Sequence, residues 1–433
     1  MKLFTTFFVL MKLFIICSTT VKSSDQLGKI WGPGLSPEKI VMPARYFFVN
    51  LITNNGSTVG ENTELQVVVD GKTKNNKPCR IWTNVLDRKD NSYIVRYKLY
   101  ETCSYLKISV TYNNEHLAKS PYLINSPVKS DDCVCPTRNI NKSLNAWECG
   151  SVPKFINDKL SVFRKINWTE QRKEIIERFN QPHSVSLCHY IVKNNKIYRK
   201  CYGKYVGFNI FVDNILLSLT RKVVLPDVEF FSNLGDWPLS TLKKKYPIFS
   251  WCGSTDSFDI IMPTYDITES TLENLGRDQE HIYGPKTEHI SFFKFFQYKY
   301  QLAIDGTVAT YRMPYLLAGG SLVFKPESKY FEHYYKDLKP YVHYVPVKSD
   351  ISDLIEKIKW AINNDKEAKE IASNAQKFVN ENLLPKNIFC YYFHLFNEFS
   401  KIITSNIEIL EDMEFIEQKK MEKCDCNNKK DEL

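Results

Sequence analysis

The sequence has no concentrated block of charge. Its 58 Lys and Arg against 49 Asp and Glu leave a net charge of +9, and the densest basic runs are Lys243-Lys244-Lys245 and Lys419-Lys420. A chain built to hold nucleic acid gathers positive charge on one face or tail. Nucleic acid is therefore not read as a partner, while a small phosphorylated ligand stays open. Metal-ligand spacing is missing as well. The eight His are scattered, none in a ligand pattern with Cys or paired carboxylates, and His289 and His343 read as hydrogen-bonded structural residues. No metal is expected. There is no Walker loop and no G-x-G-x-x-G. The aromatic cluster Phe292 to Tyr300 has no accompanying Lys/Arg stripe, so it reads as core rather than as a base-stacking platform. No low-complexity tract occurs, and the only internal repeat is Met-Lys-Leu-Phe at Met1 and Met11. Within residues 1–23 no apolar run reaches the roughly 18 residues a membrane span needs, so the chain is not read as membrane-spanning.

What is present describes a globular protein. A length of 433 residues suits two or three domains, and 43% hydrophobic with 25% charged residues can bury real cores. Lys2, the apolar stretch Phe4 to Cys17 broken at Lys12, and Ser18-Thr19-Thr20 have the layout of a signal peptide over residues 1–23. The C-terminal Lys430-Asp431-Glu432-Leu433 is an endoplasmic-reticulum retrieval address, read by the KDEL receptor. Together they predict a resident of the endoplasmic reticulum lumen. Twelve Cys, less Cys17 in the leader, leave an odd number for disulfides in that oxidising compartment. Cys133-x-Cys135 and Cys424-x-Cys426 are spaced too tightly for zinc. A disulfide is the reading for the first pair; the tail pair receives no assignment. Asn55, Asn141 and Asn167 begin N-glycosylation sequons.

Residues 25–125 have β texture. Leu65 to Val69 runs into Asp70-Gly71, a favoured hairpin dipeptide. Tyr93, Val95, Tyr97 and Leu99 alternate with polar neighbours, as do Leu106, Ile108, Val110 and Tyr112. Short strands at this spacing predict an immunoglobulin-like β-sandwich. Trp31-Gly-Pro-Gly-Leu35 and Leu106-Lys-Ile-Ser-Val-Thr-Tyr-Asn-Asn-Glu-His-Leu-Ala-Lys-Ser-Pro121 make it resemble a filamin-type repeat, a module that binds or spaces other domains. Residues 126–136 form a polar, Pro-bounded linker. Beyond it, helices expected near Thr169, over Phe208 to Leu217, around Ile351 to Ile358 and over Glu367 to Asn382 interleave with strands such as Val228 to Phe231. That pattern predicts an α/β domain with parallel sheet over 137–410. Residues 411–433 read as a charged tail, helix-like or disordered.

Two places invite chemistry. In Phe230-Phe-Ser-Asn-Leu-Gly-Asp236-Trp-Pro238, an apolar strand ends at an acid. Ligands of open α/β sheets gather beyond the carboxyl ends of strands, where a carboxylate can act as a general base; a plain Gly-Asp turn is the simpler alternative. In Tyr300 to Arg312, a strand, the turn Asp305-Gly306 and a helix capped near Thr307 would aim N–H groups and Arg312 at a phosphate. The simpler alternative there is an ordinary connection with a surface Arg. Pro314 and Gly319-Gly320 would end that helix early and lead into a strand from Ser321 to Phe324.

From Cys133 to about Phe399 the chain resembles the KDEL-motif-containing protein O-glucosyltransferases of glycosyltransferase family 90. The stretches that carry the resemblance are Ser186-Leu-Cys-His-Tyr190, Asp213 to Lys222, Asn233-Leu-Gly-Asp-Trp-Pro238, Pro247 to Asp256, Met262-Pro-Thr-Tyr-Asp266 and Ile304 to Ala309. The resemblance implies a GT-B fold that transfers glucose from UDP-glucose, with inversion, to serine on EGF-like repeats. It implies Asp236 as the base, and Thr307, Val308, Ala309, Thr310, Tyr311 and Arg312 as donor-binding residues. It also implies a Cys133–Cys390 disulfide. One departure stands out. Several dozen residues that the family carries between the equivalents of Arg277 and Ile282, including a donor-gripping Trp-Arg-Gly-Arg segment, have no counterpart here. A lost exon and a natural short form with weakened donor binding are the two explanations. The alternative function is a lumenal binding protein with impaired catalysis.

Overall fold

The computed structural model describes residues 28–39, 41–51, 65–182, 184, 187–203, 207–272, 295–418, 424 and 426. The leader, Asn55, the run across 277–282, His289, Phe292 and the terminal tetrapeptide lie outside the described residues.

The N-terminal strands are β1 (Gly28–Trp31), β2 (Arg45–Leu51), β3 (Leu65–Lys72), β4 (Ile81–Asp87), β5 (Ser92–Leu99), β6 (Tyr105–Tyr112), β7 (Glu115–His116) and β8 (Tyr122–Ile124). One sheet has the order β1-β2-β5-β4, and the other the order β3-β6-β7 with β8 also on β6. Strand side chains alternate between faces, so Phe47, Val49, Val95 and Tyr97 meet Leu106, Ile108 and Val110 in one core. Asp70-Gly71 does not turn. Both residues lie inside β3, opposite Lys107 and Leu106. The chain reverses later, over Thr73 to Lys77, where Asn76 takes a φ of 60°. Gly71 is needed for close approach instead, since a Cβ there would sit 2.6 Å from the Tyr105 carbonyl oxygen. The turn Asn113-Asn114 does make a β6–β7 hairpin, both residues having positive φ.

The other face of β2 is also apolar, because it is a domain junction. Tyr46, Phe48, Leu86 and Ile94 pack with Phe296, whose ring lies so close to Gly319 that a Cβ would be 2.4 Å away. Arg88 is buried at this junction, its guanidinium over the Phe48 ring and Nη2 donating to Asn380 Oδ1 at 2.7 Å. The stretch from 126 to 136 is tied at both ends. Val128 bridges Cys103 of the sandwich, and buried Asp131 accepts from Arg221 Nη2 at 2.6 Å, from Lys222 Nζ and from Ser218 Oγ. Burial alone would raise this carboxyl, but the two cations hold it well below the usual carboxylate range.

The second region is mixed α/β. Helices α1 (Ile140–Ala146), α2 (Lys154–Leu160), α3 (Trp168–Phe179), α4 (Asn209–Lys222) and α5 (Tyr265–Leu272) surround strands β9 (Leu187–Lys193), β10 (Lys196–Tyr202), β11 (Val228–Asn233), β12 (Ile248–Ser250), β13 (Gly253–Ser254) and β14 (Ile260–Ile261). The main sheet has the order β14-β12-β11-β9-β10-β19, where β19 is Glu414–Ile416. It is not wholly parallel. The β11, β12 and β14 pairings are parallel, while β9, β10 and β19 run antiparallel. The reason is local: Asn194-Asn195, both with positive φ, make a tight turn that folds β9 onto β10 as a hairpin. The segment expected to be helix-like or disordered after 411 thus supplies an edge strand, and Gln418 bonds back to α4 at Leu217 O and Thr220 Oγ1.

A second, parallel sheet has β15 (Tyr300–Leu302), β16 (Leu322–Pro326) and β18 (Val345–Val347) in the order β15-β16-β18; between the last two, β17 (Tyr330–Phe331) pairs with β13. Helix α6 (Met313–Ala318) precedes β16, and α7 (Leu354–Asn363), α8 (Asp365–Asn382) and α9 (Pro385–Ile402) come after β18. Ala368 and Ile371 of α8 cover this sheet. Helix α9 returns to the first sheet, where Phe396 lies 5.2 Å from Phe230 and Phe399 lies 4.8 Å from Phe249, ring to ring. Burying each such ring is worth roughly 1.5–3 kcal/mol. Among the described residues no helix is long and apolar enough to cross a membrane.

The disulfides correct two readings. Cys133 pairs with Cys424, not with Cys390, and Cys390 pairs with Cys149. Cys149 lies just after α1 with its Cα 5.5 Å from that of Cys390 on α9, whereas Cys133 sits in the connecting stretch beside the returning tail. Cys135 takes Cys426, so the two Cys-x-Cys pairs bridge each other rather than closing on themselves. Cys79–Cys103 and Cys188–Cys201 complete the described bridges, and Cys252 is free and buried.

Candidate active site

Asp236 sits in the turn that leaves the carboxyl end of β11, as its place in the sequence predicts. Asn233, the last residue of β11, builds this turn. Its Oδ1 accepts from Gly235 N at 2.9 Å, and its Nδ2 donates to Trp237 O at 2.7 Å and Ser250 Oγ at 3.2 Å. That is an Asx-type turn, the local structure for which Asn is suited. The far side of the turn is held by buried Asp259, which accepts from Leu239 N, Ser240 N and Ser250 Oγ at 2.8, 2.9 and 2.6 Å. Its burial pushes the Asp259 carboxyl up to about 6, against those hydrogen bonds. The Asp236 carboxylate is therefore presented by a turn fixed at both ends. Trp237 beside it does not anchor the turn through its side chain, which is 53% exposed.

Asp236 is half-buried, and burial raises its pKa while a hydrogen bond from Tyr311 lowers it. The Tyr311 hydroxyl lies 3.4 Å from Asp236 Oδ1. The free thiol of Cys252 donates to the Asp236 carbonyl at 3.3 Å, and burial pushes that thiol up to about 12. Two further acids share this neighbourhood. Burial and the charge of Asp236 push Asp266, in the first turn of α5, up to about 6. Burial pushes Glu332 up to about 8, against the pull of nearby hydroxyls, of which Tyr334 donates to its Oε1 at 3.1 Å.

The segment expected to hold a phosphate is arranged differently from its sequence reading. Thr307 does not cap a helix. Residues 303–312 are irregular, Asp305 Oδ1 accepts from Thr310 N at 3.2 Å, and α6 begins only at Met313 with Arg312 as the preceding residue. Pro314 belongs to the first turn of α6, where its missing N–H costs nothing, so it opens the helix instead of ending it; β16 then begins at Leu322. Val308, Ala309 and Thr310 are buried, Val308 and Ala309 against Cys252, while Thr307 and Arg312 are exposed. The structure thus brings Tyr311 and Asp236 together and leaves Arg312 and Thr307 exposed to solvent. Cys252, Asp259, Asp266 and Glu332 were not singled out by spacing. Only Asn233, an Asn two residues before Gly, carried a turn signal in the sequence.

The remaining assigned positions lie elsewhere. Asn141 is exposed in α1. Asn167 is the N-cap of α3, accepting from Thr169 N at 3.1 Å and donating to Glu170 at 2.9 Å. His343 Nδ1 accepts from Lys339 N at 3.0 Å, a structural bond.

A carboxylate on a braced turn and a neighbouring loop with an exposed Arg are the parts a group-transfer site requires, and comparison with known proteins gives them a class. The Filamin/ABP280 repeat matches residues 26–123, and Glycosyl transferase family 90 matches residues 144–278 and 271–433. The class is a glycosyltransferase that carries a filamin repeat. "Protein O-glucosyltransferase 2" of Danio rerio is 40% identical, covering 93% of this chain and 94% of its own. "Protein O-glucosyltransferase 3" of Homo sapiens is 37% identical over 93% of this chain and 92% of its own. The shorter human "Protein O-glucosyltransferase 1" is 24% identical over 62% of this chain and 86% of its own. The chain belongs to glycosyl transferase family 90. The family match breaks at 271–278, and the alignment with the Danio rerio protein spans 474 positions, more than the 433 residues available. Relatives therefore carry residues that have no counterpart here.

Proposed function

We propose that this protein transfers glucose from UDP-glucose to a serine hydroxyl of EGF-like repeats, with Asp236 as the general base. The observation that carries the reading is the meeting of Asp236 with the 307–312 segment, two stretches far apart in sequence, through the Tyr311 hydroxyl at 3.4 Å. In this reaction Asp236 takes the serine proton as the serine oxygen bonds to the anomeric carbon. The bond from that carbon to the diphosphate oxygen breaks, UDP leaves with the electron pair, and the configuration inverts. The backbone from Thr307 to Thr310 and the exposed guanidinium of Arg312 are assigned to the donor, Arg312 as a fork for the departing diphosphate. No metal is assigned a role. The six-stranded and three-stranded sheets are taken as the two halves of a GT-B arrangement. Trp237, exposed beside the base, is offered to the acceptor. The bridges Cys79–Cys103, Cys149–Cys390 and Cys188–Cys201 support an oxidising compartment, here assigned as the endoplasmic reticulum lumen.

The break at 271–278 favours one competing reading, a binding protein with impaired donor binding. UDP release from UDP-glucose, measured with and without a folded EGF-like repeat, separates the two. Acceptor-dependent release that falls by about 10²-fold or more in Asp236→Asn is expected for the transferase. UDP-independent binding of the repeat without release supports the competing reading.

A further inference from the structure

The Tyr311 side chain belongs to the segment assigned to the donor, yet its hydroxyl lies 3.4 Å from Oδ1 of the base while Arg312, the next residue, is exposed. We infer that Tyr311 is a positioning residue for Asp236, one that fixes the carboxylate's orientation and keeps it ionised; this rests on the reading of Asp236 as the base. The geometry leaves Tyr311 little other freedom. Its ring meets Tyr265 edge-on at 5.5 Å, and Tyr265 is in turn edge-on to Trp251 at 6.0 Å. Val308 and Ala309, just before it, are packed on Cys252, whose thiol holds the Asp236 carbonyl. The carboxylate is thus gripped through its side chain by Tyr311 and through its backbone by Cys252, and both grips are tied to the same donor segment.

The chemistry needs such a group. Burial around Asp236 disfavours its charged form, and Asp266 of α5, whose carboxyl feels the charge of Asp236, acts in the same direction when ionised; Glu332, after β17, couples to Asp266 and to Tyr311. The thiol of Cys252 is neutral and offers no charge. The Tyr311 hydroxyl, donated to Oδ1, opposes the burial and the charge, and burial with the surrounding acidic groups raises the Tyr311 phenol so far that it stays a donor throughout the working range. Tyr311 therefore orients the base without competing for the proton.

Tyr311→Phe in the full-length protein tests this, because it keeps the ring and its packing. The direct readout is the ¹³C carboxyl titration of Asp236, assigned as the resonance lost in Asp236→Asn, and it needs no turnover. Loss of one neutral hydrogen bond is expected to raise the midpoint by about half to one pH unit, to move the acid limb of kcat upward with it, and to leave UDP affinity unchanged. An unmoved midpoint overturns the inference, and so does an unmoved midpoint paired with weakened UDP binding, which would make Tyr311 a donor contact. Normal glucose transfer by Asp236→Asn overturns instead the reading of the base, and the inference falls with it. Retained near-ultraviolet circular dichroism in each variant shows that the fold is intact.

Discussion

At the scale of single residues, the site gathers groups that water would keep apart. Asp236, Asp266 and Glu332 lie within one partly desolvated region, and each has its carboxyl raised, burial being the largest cause every time. Glu332 is fully buried, and burial outweighs the hydroxyls around it, so the folded protein favours its protonated form. That fixes the sign of the pH effect. A carboxyl raised from 4.5 to about 8 stabilises the fold fully at low pH, and that contribution is lost as pH rises from the unfolded value through about 8. Glu332→Gln, neutral at every pH, is expected to lessen the fall in Tm between pH 6 and 9. Thermal melts of both proteins across that range check it, and an equal fall in both would show that Glu332 is not the group responsible. Little of this cluster was legible in the sequence. Asp236 was, because it closes an apolar strand. Glu332 and Asp266 were not, because nothing in Tyr330-Phe331-Glu332 or Tyr265-Asp266 marks an acid as buried until strands β13 and β17 are paired.

At the scale of elements, periodicity located the sandwich strands β5 and β6 and four of the helices, but not their directions or bonds, and α1, α2, α5 and α9 went unread. The apolar spacing around α3, α4, α7 and α8 was readable, and the alternation in β5 and β6 announced a sandwich. The hairpin β9–β10 turned the expected parallel sheet into a mixed one, through two Asn residues with positive φ. Disulfide partners were least readable, since pairing depends on which Cα atoms come within about 4.4–6.8 Å in the fold. The Cys149–Cys390 bridge spans 241 residues of sequence and joins the end of α1 to α9. Non-reducing peptide mapping is expected to return Cys149–Cys390 and the Cys133–Cys424 and Cys135–Cys426 ladder; a Cys133–Cys390 peptide would contradict the fold. The double variant Cys149→Ser with Cys390→Ser is expected to lose about 2–5 kcal/mol of stability, measured by denaturant unfolding.

At the scale of the whole molecule, the filamin repeat and the α/β region are packed against each other. The second face of β2 is given over to that junction, Lys98 Nζ donates to Leu272 O at 2.9 Å at the end of α5, and Gln376 of α8 donates to Asp90 at 2.8 Å. The break in the family match begins beside that same end of α5, so the place where relatives carry more residues adjoins both the domain junction and the helix bearing Asp266. Whether catalysis survives that shortening is the central question, and the product answers it. The full chain, shown to be folded by circular dichroism, is incubated with UDP-glucose and a folded EGF-like repeat, and the repeat is weighed by mass spectrometry. The account predicts one added hexose on serine with the wild-type chain and none with Asp236→Asn. An unmodified repeat, or equal modification by both proteins, would contradict it.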